Sequence, residues 1–81
     1  MLTKYIQAAM RRAKYEILPD DQSYYGEIPE LQGVWANSDT LEECRDELEE
    51  VLEEWILLGV ALHHSFPALD GIEIQVPTLA A

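Results

Sequence analysis

The sequence predicts a small α+β domain in which a short helix, three strands, a long helix and a fourth strand follow one another. Apolar residues recur at three- and four-residue steps near the start of the chain and again over residues 41–62, which is typical of helices. Between these regions, short runs of aromatic and branched residues end at proline, glycine or aspartate, as strands do. A chain of 81 residues has room for one domain with a small core.

Residues 1–13 are predicted to form an amphipathic helix that precedes a β-β-β-α-β body over residues 14–81. Its apolar stripe consists of Leu2, Tyr5, Ile6, Ala9, Met10 and Ala13. Its other side is basic, because Lys4, Arg11, Arg12 and Lys14 precede any acidic residue. Such a helix could lie on a membrane surface, but the acidic body beside it favours docking on the protein itself.

Four strands are predicted from runs that suit a pleated surface. They are Lys14–Leu18, Tyr24–Ile28, Val34–Asn37 and the alternating segment Ile72–Val76. A turn at residues 19–22 joins the first two, and Pro29 and Gly33 place another turn before the third. The order predicts a meander followed by a crossover to the last strand.

The long helix is predicted to begin at Thr40, whose hydroxyl can accept from free amides while Glu43 reaches back toward the cap. Its buried seam is expected at seven-residue spacing. The seam residues are Leu41, Leu48, Trp55 and Leu62, with Cys44, Val51 and Leu58 between them. We expect the helix to pass through Gly59, although a stop there is the alternative.

The two halves of this helix differ in character. The first half carries two rows of like charge, which either serve as a solvated face or attract a basic surface. The second half, residues 55–62, contains no polar side chain, so it must be covered on every side. We expect Trp55, Ile56, Leu57 and Val60 to form an interface in a dimer or tetramer. The alternative is that residues 2–10 and 66–69 cover them within one chain.

Composition restricts the function. The net charge is −11, and after Lys14 the chain has 16 acidic residues against Arg45 alone, which disfavours nucleic acid and favours a basic protein as partner.

Cys44 is the only cysteine and is expected to be a buried thiol in a cytoplasmic protein. No secretion signal or membrane-spanning run is evident, so we expect no membrane association. No pattern for a cofactor, nucleophile or metal is present, and His63 and His64 are expected near the helix end.

The middle of the chain resembles the HicB family of bacterial antitoxins. The resemblance rests on a Tyr-x-Glu-x-Pro-Glu-Leu-x-Gly segment followed by a Thr-Leu-Glu-Glu helix start. In this sequence the matching residues are Tyr25, Glu27, Pro29, Glu30, Leu31, Gly33 and Thr40 to Glu43. Most of them form turns or caps, so the match favours architecture more than activity. The implied fold is a truncated ribonuclease H-like α/β sandwich, with the fourth strand beside the first.

The resemblance also implies a function. HicB proteins bind a small basic messenger-RNA-cleaving toxin, HicA, and block it. The candidate toxin-facing residues here are Trp35, Glu42, Asp46, Glu49 and Glu53. Many family members continue into a DNA-binding segment, and because this sequence stops at Ala81 we expect no direct DNA contact.

Two alternatives to the antitoxin role remain at this point. One is an orphan, homo-oligomeric regulatory protein. The other is a metal-dependent nuclease, for which Glu27, Glu30, Asp39 and Glu43 are the carboxylates to consider, although they are poor candidates. We therefore expect no enzymatic activity.

Overall fold

A computed structural model describes residues 2–74 and confirms the α+β class. The elements are helix α1 (Leu2–Arg11), strands β1 (Lys14–Ile17), β2 (Tyr24–Glu27) and β3 (Trp35–Ser38), and helix α2 (Leu41–Ala61). The predicted fourth strand falls partly on residues 75 and 76, which lie outside the described residues. Within the described part, Ile72 forms only an isolated β-bridge with Leu69.

The three strands form an antiparallel meander in the order β1-β2-β3. Lys14 lies opposite Glu27, which in turn lies opposite Trp35 on β3. The first turn places Gln22 at φ 58°, and the second places Gly33 at φ 90°, where a residue with a side chain would be strained. Both turns lie where proline, aspartate and glycine predict them, although Gln22 itself is not a residue that favours a positive φ.

The sheet packs on α2 through one face only. On β3, Ala36 and Ser38 are buried toward the helix, whereas Trp35 and Asn37 are exposed on the opposite face. This alternation follows from the two-residue period of a strand. The outer face of the sheet is therefore open in the described part of the chain.

Helix α2 is longer than the sheet that it covers. At about 1.5 Å per residue its 21 residues extend about 31 Å, whereas a four-residue strand extends about 13 Å. Its first half lies on β2 and β3, and its second half projects beyond the sheet. The buried residues are Cys44, Leu48, Leu52, Ile56 and Gly59.

The predicted seven-residue seam is confirmed at Cys44 and Leu48, which are buried, but it is wrong at three of its seven positions. Leu41, Leu58 and Leu62 are 42%, 59% and 54% exposed. A seven-residue seam stays in register only when a second helix winds around the first. Because α2 faces a sheet instead, its buried stripe follows the spacing of the straight helix, mostly every fourth residue.

The second half of α2 is covered partly by the chain itself. Phe66 packs edge-on against Tyr5 of α1 and against Trp55, with ring centroids 6.5 and 5.5 Å apart. The Tyr5 hydroxyl donates to the Pro67 carbonyl at 2.7 Å. Ile56 is only 2% exposed as a result, so its expected place in an oligomer interface is corrected to the core of one chain.

The end of α2 lies beyond Gly59, as predicted. The His63 amide donates to the Val60 carbonyl at 3.2 Å, and the His64 amide donates to the Gly59 carbonyl at 2.8 Å. These two bonds are those of a Schellman motif, in which the residue after the cap takes a left-handed conformation. His63 occupies that position with φ 57°, where glycine is the usual residue.

Candidate functional site

The motif residues between β2 and β3 mostly build the turn. The Leu31 amide donates to the Ile28 carbonyl at 2.9 Å, and the Val34 amide donates to the Leu31 carbonyl at 3.2 Å. Leu31 is buried and anchors the loop, while Pro29 and Glu30 are exposed. Their positions give this part of the motif a structural role.

Glu30 holds the loop to α1 through Arg12. The Arg12 guanidinium donates to Glu30 Oε2 at 2.7 Å and also to Asp70 Oδ1, so one side chain joins three parts of the chain. The hydrogen bond from Arg12 lowers the pKa of Glu30, and the hydrogen bond to Glu30 is the main cause that raises the pKa of Arg12. Glu30 is therefore engaged in a structural ion pair.

Thr40 and Glu43 form the predicted cap of α2. The Glu43 amide donates to the Thr40 hydroxyl at 3.1 Å, and that hydroxyl lies 3.2 Å from Glu43 Oε1 and donates to it. The glutamate thus reaches back to the cap hydroxyl. Cys44, one residue further, is buried with its thiol 3.6 Å from the Ala36 carbonyl, and burial raises its pKa.

The carboxylates considered for a metal site lie apart. Glu27 accepts a hydrogen bond from Tyr25 at 3.1 Å, Glu30 binds Arg12, and Glu43 belongs to the helix cap. Within residues 2–74, no three His, Cys, Asp or Glu side chains come close enough together to hold a metal ion.

An aromatic pair occupies the open face of the sheet. The rings of Tyr25 and Trp35 stack with centroids 6.1 Å apart and planes at 26°. Trp35 is nevertheless 54% exposed, an unusual state for so large an apolar side chain. Burial raises the pKa of Tyr25, and its hydrogen bond to Glu27 contributes in the same direction. The pair therefore presents a stacked aromatic surface with the Glu27 carboxylate beside it.

Within residues 2–74, β3 forms an unpaired edge of the sheet, and a groove runs between this edge and α2. Its volume is about 580 Å³, and it is lined by Gly33, Trp35, Ala36, Asn37, Glu47 and Val51. Glu47 and Val51 are one helical turn apart, so they lie on the same side of α2. The groove combines an open strand edge, apolar surface and negative charge.

The acidic residues of α2 divide between two sides of the helix. The first row consists of Glu42, Asp46, Glu49 and Glu53, and the second consists of Glu43, Glu47, Glu50 and Glu54. Trp35 shares the groove with Glu47 of the second row, whereas the predicted toxin-facing carboxylates all belong to the first row. Val51 belongs to the predicted seam and packs against the core, and Glu47, one turn before it, lines the same groove beside β3.

A second, smaller cleft lies between the two helices. It has a volume of about 390 Å³ and is lined by Gln7, Met10, Arg11, Arg45 and Glu49. Both signs of charge occur there, so it has no clear preference for a charged ligand.

At the far end of α2, Leu57 is 66% exposed, and Leu58 and Leu62 are exposed beside it. Trp55 and Val60 are half-buried.

Comparisons with known proteins agree with this architecture. The sequence model of the UPF0150-like family matches residues 4–67. The crystal structure of TTHA0281 from Thermus thermophilus is similar, with a TM-score of 0.87, 43% identity and 94% of each chain covered. A comparison with curated proteins gives no match. None of the helices in residues 2–74 has both the length and the apolar composition needed to cross a membrane. With most of its length matched, the chain belongs to the UPF0150-like family.

Proposed function

We propose that this protein is a HicB-like antitoxin, a binding module that neutralises a small basic HicA-type toxin by protein–protein contact in the cytoplasm. The observation that carries the proposal is the combination of an acidic helix with an exposed, pre-stacked Trp35 on one small scaffold. Membership of the UPF0150-like family and the Tyr-x-Glu-x-Pro-Glu segment support it.

Charge would provide the first part of recognition. A net charge of −11 on 81 residues attracts a basic protein over a distance and raises the rate of encounter. Affinity then requires desolvated anchors, and tryptophan is among the residues that most often supply them. Trp35 is suited to this role because its ring already stacks on Tyr25, so less rotational freedom remains to be lost on binding.

The proposal assigns no catalytic step to this protein. Three of the four carboxylates that a nuclease could use are engaged, Glu27 with Tyr25, Glu30 with Arg12 and Glu43 with Thr40. Inhibition would instead arise because a bound antitoxin covers the RNA-cleaving site of its partner.

We further propose that the module associates with itself through the apolar end of α2. Leu57, Leu58 and Leu62 are each more than half exposed. Burying such a side chain is worth about 1.5 to 3 kcal/mol. A second copy would cover this end while leaving β3 and the acidic half of α2 free.

Co-expression with the short basic protein encoded by the neighbouring gene tests the antitoxin role. We expect the two proteins to co-purify, the complex to weaken as salt is raised, and the RNA cleavage by the partner to stop. Trp35→Ala should weaken the complex, whereas Ile17→Ala, which truncates another exposed apolar side chain on β1, should not. An unrelated neighbour, or a partner that cleaves RNA unimpeded, would favour an orphan regulatory role instead.

A further inference from the structure

We propose that the groove between β3 and α2 is a strand-addition site, which takes an extended, basic segment of a partner protein against the free edge of β3. The inference rests on the proposed role as a module for basic proteins and locates the contact within it. Three features of the described residues support it: an unpaired strand edge, a lining that matches extended peptide, and negative charge on one flank.

The edge of β3 has free backbone groups. The Ile28 amide donates to the Val34 carbonyl at 3.1 Å, and pairing in an antiparallel ladder alternates from residue to residue. Val34, Ala36 and Ser38 therefore bond to β2, while the amides and carbonyls of Trp35 and Asn37 point away from the sheet. β3 contains no proline or lysine, the residues that commonly protect such an edge.

The groove has suitable walls on both sides of an added strand. Alternate side chains of the incoming segment would lie toward α2, where they would meet Val51 and Glu47. The other side chains would lie on the outer face beside the Trp35 ring, on which an arginine side chain could stack. Main-chain hydrogen bonds would supply affinity, as in other cases of strand addition. The side chains that line the groove would determine which side chains of the incoming segment are preferred.

Charge favours a basic partner over a second copy. If two copies paired edge to edge through β3, their α2 helices would lie side by side, because α2 packs mainly on β3 and β2. The rows containing Glu47 would then face each other, and like charges across an interface are unfavourable. A basic segment instead places opposite charge against the same row.

A peptide titration tests the inference directly. The probe is a short, capped peptide in which arginine and valine alternate, added to the ¹⁵N-labelled full chain. We expect the amide signals of residues 34–38 and the Trp35 indole signal to shift. A matched peptide of the same charge, methylated on the edge-facing backbone amides, should bind at least about tenfold more weakly. Equal binding of both peptides, or shifts centred on β1, would overturn the inference.

A pair of charge reversals provides the second test. Glu47→Lys and Glu53→Lys change the net charge equally, but only Glu47 lines the groove. We expect Glu47→Lys to weaken peptide binding about tenfold and Glu53→Lys to change it less than about threefold. Equal effects would mean that overall charge alone governs binding, which contradicts a specific site. Concentration-dependent protection of the Trp35 and Asn37 amides in the free protein would also contradict it, because a second copy would then occupy the edge.

The failure of this inference is distinguishable from failure of the antitoxin role. If the basic neighbour binds and is inhibited, but neither Glu47→Lys nor the methylated peptide has an effect, the contact lies elsewhere on the protein. If the peptide binds along β3 while no basic neighbour binds, strand addition at the groove is supported and the antitoxin role is wrong.

Discussion

The ring of Phe66 lies directly over Gly59 of α2. A Cβ atom on Gly59 would come within 2.7 Å of two ring carbons, closer than carbon atoms approach in proteins. The absence of a side chain at Gly59 is therefore what lets residue 66 pack between Tyr5 and Trp55. Glycine usually weakens a helix, but Gly59 gives Phe66 the space to cover the part of α2 that lies beyond the sheet.

Gly59→Ala should therefore destabilise the protein, although alanine favours helix by about 1 kcal/mol over glycine. Displacing Phe66 weakens its two aromatic contacts, at a combined cost of about 1 kcal/mol. It also strains the surrounding packing, at a further cost of about 1 kcal/mol. We expect a net loss of about 1 kcal/mol in the free energy of unfolding, measured with urea. In a Phe66→Leu background the same change should be stabilising. Stabilisation by Gly59→Ala alone would show that the ring moves without cost.

His63→Gly should stabilise the end of α2. Histidine at φ 57° bears a steric penalty that glycine avoids, and the two amide bonds of the Schellman motif remain in place. We expect a gain of about 1 kcal/mol, seen as a higher midpoint in thermal unfolding. His64→Gly is the matched control, because His64 has no positive φ and should show no gain. A lower midpoint for His63→Gly would indicate that the imidazole makes a stabilising contact.

Thr40→Ala should remove the cap of α2 and lower the free energy of unfolding by about 1 kcal/mol. The hydroxyl accepts from the Glu43 amide at 3.1 Å and so satisfies one of the free amides at the start of the helix. Thr40→Ser keeps the oxygen and should retain most of the stability. Circular dichroism during urea unfolding measures both variants. Equal losses in serine and alanine variants would mean that the threonine methyl group matters more than the cap.

Most of the fold was predictable because its signals are local. Pro29, Gly33 and Thr40 each fix a turn or a helix start through their own backbone preferences or hydrogen bonds, and all three elements occur where expected. The buried stripe of α2 depends instead on what the helix packs against. Because sequence spacing does not distinguish a helical partner from a sheet, the seven-residue spacing correctly includes the buried Leu48 but wrongly includes the exposed Leu58 and Leu62.

The candidate site was predictable only in part for the same reason. Trp35 was identified from its residue type, and the structure places it on the open face of the sheet. The acidic residue that lines the groove with it is Glu47, which belongs to the other row of α2 from the predicted toxin-facing carboxylates. The structural role of Glu30 in a turn was predictable, but its ion pair with Arg12 was not, because Arg12 and Asp70 are far from it in sequence.

The Glu30–Arg12 pair should make stability depend on pH in the acidic range. A carboxylate whose pKa is lower in the folded chain stabilises the fold fully above its ordinary value of 4.5 and loses this contribution as pH falls through the folded value. Glu30→Gln should therefore be less stable than the natural protein at pH 7, and the difference should vanish in strong acid. Urea unfolding across this pH range measures it. Glu50→Gln, an exposed change on α2, should show no such loss; a similar loss there would point to general charge effects.

Self-association should depend on the exposed leucines at the end of α2. The natural protein is expected to sediment above the mass of one chain, because water-exposed Leu57 and Leu58 gain about 1.5 to 3 kcal/mol each when a second copy covers them. The double variant Leu57→Ser and Leu58→Ser should sediment as a monomer while its circular dichroism spectrum remains unchanged. Ile17→Ser removes an apolar side chain from β1 that is also more than half exposed, and this change should leave the assembly intact. A natural protein that sediments as a monomer at high concentration would show that these leucines stay exposed to water, and self-association would have to be abandoned.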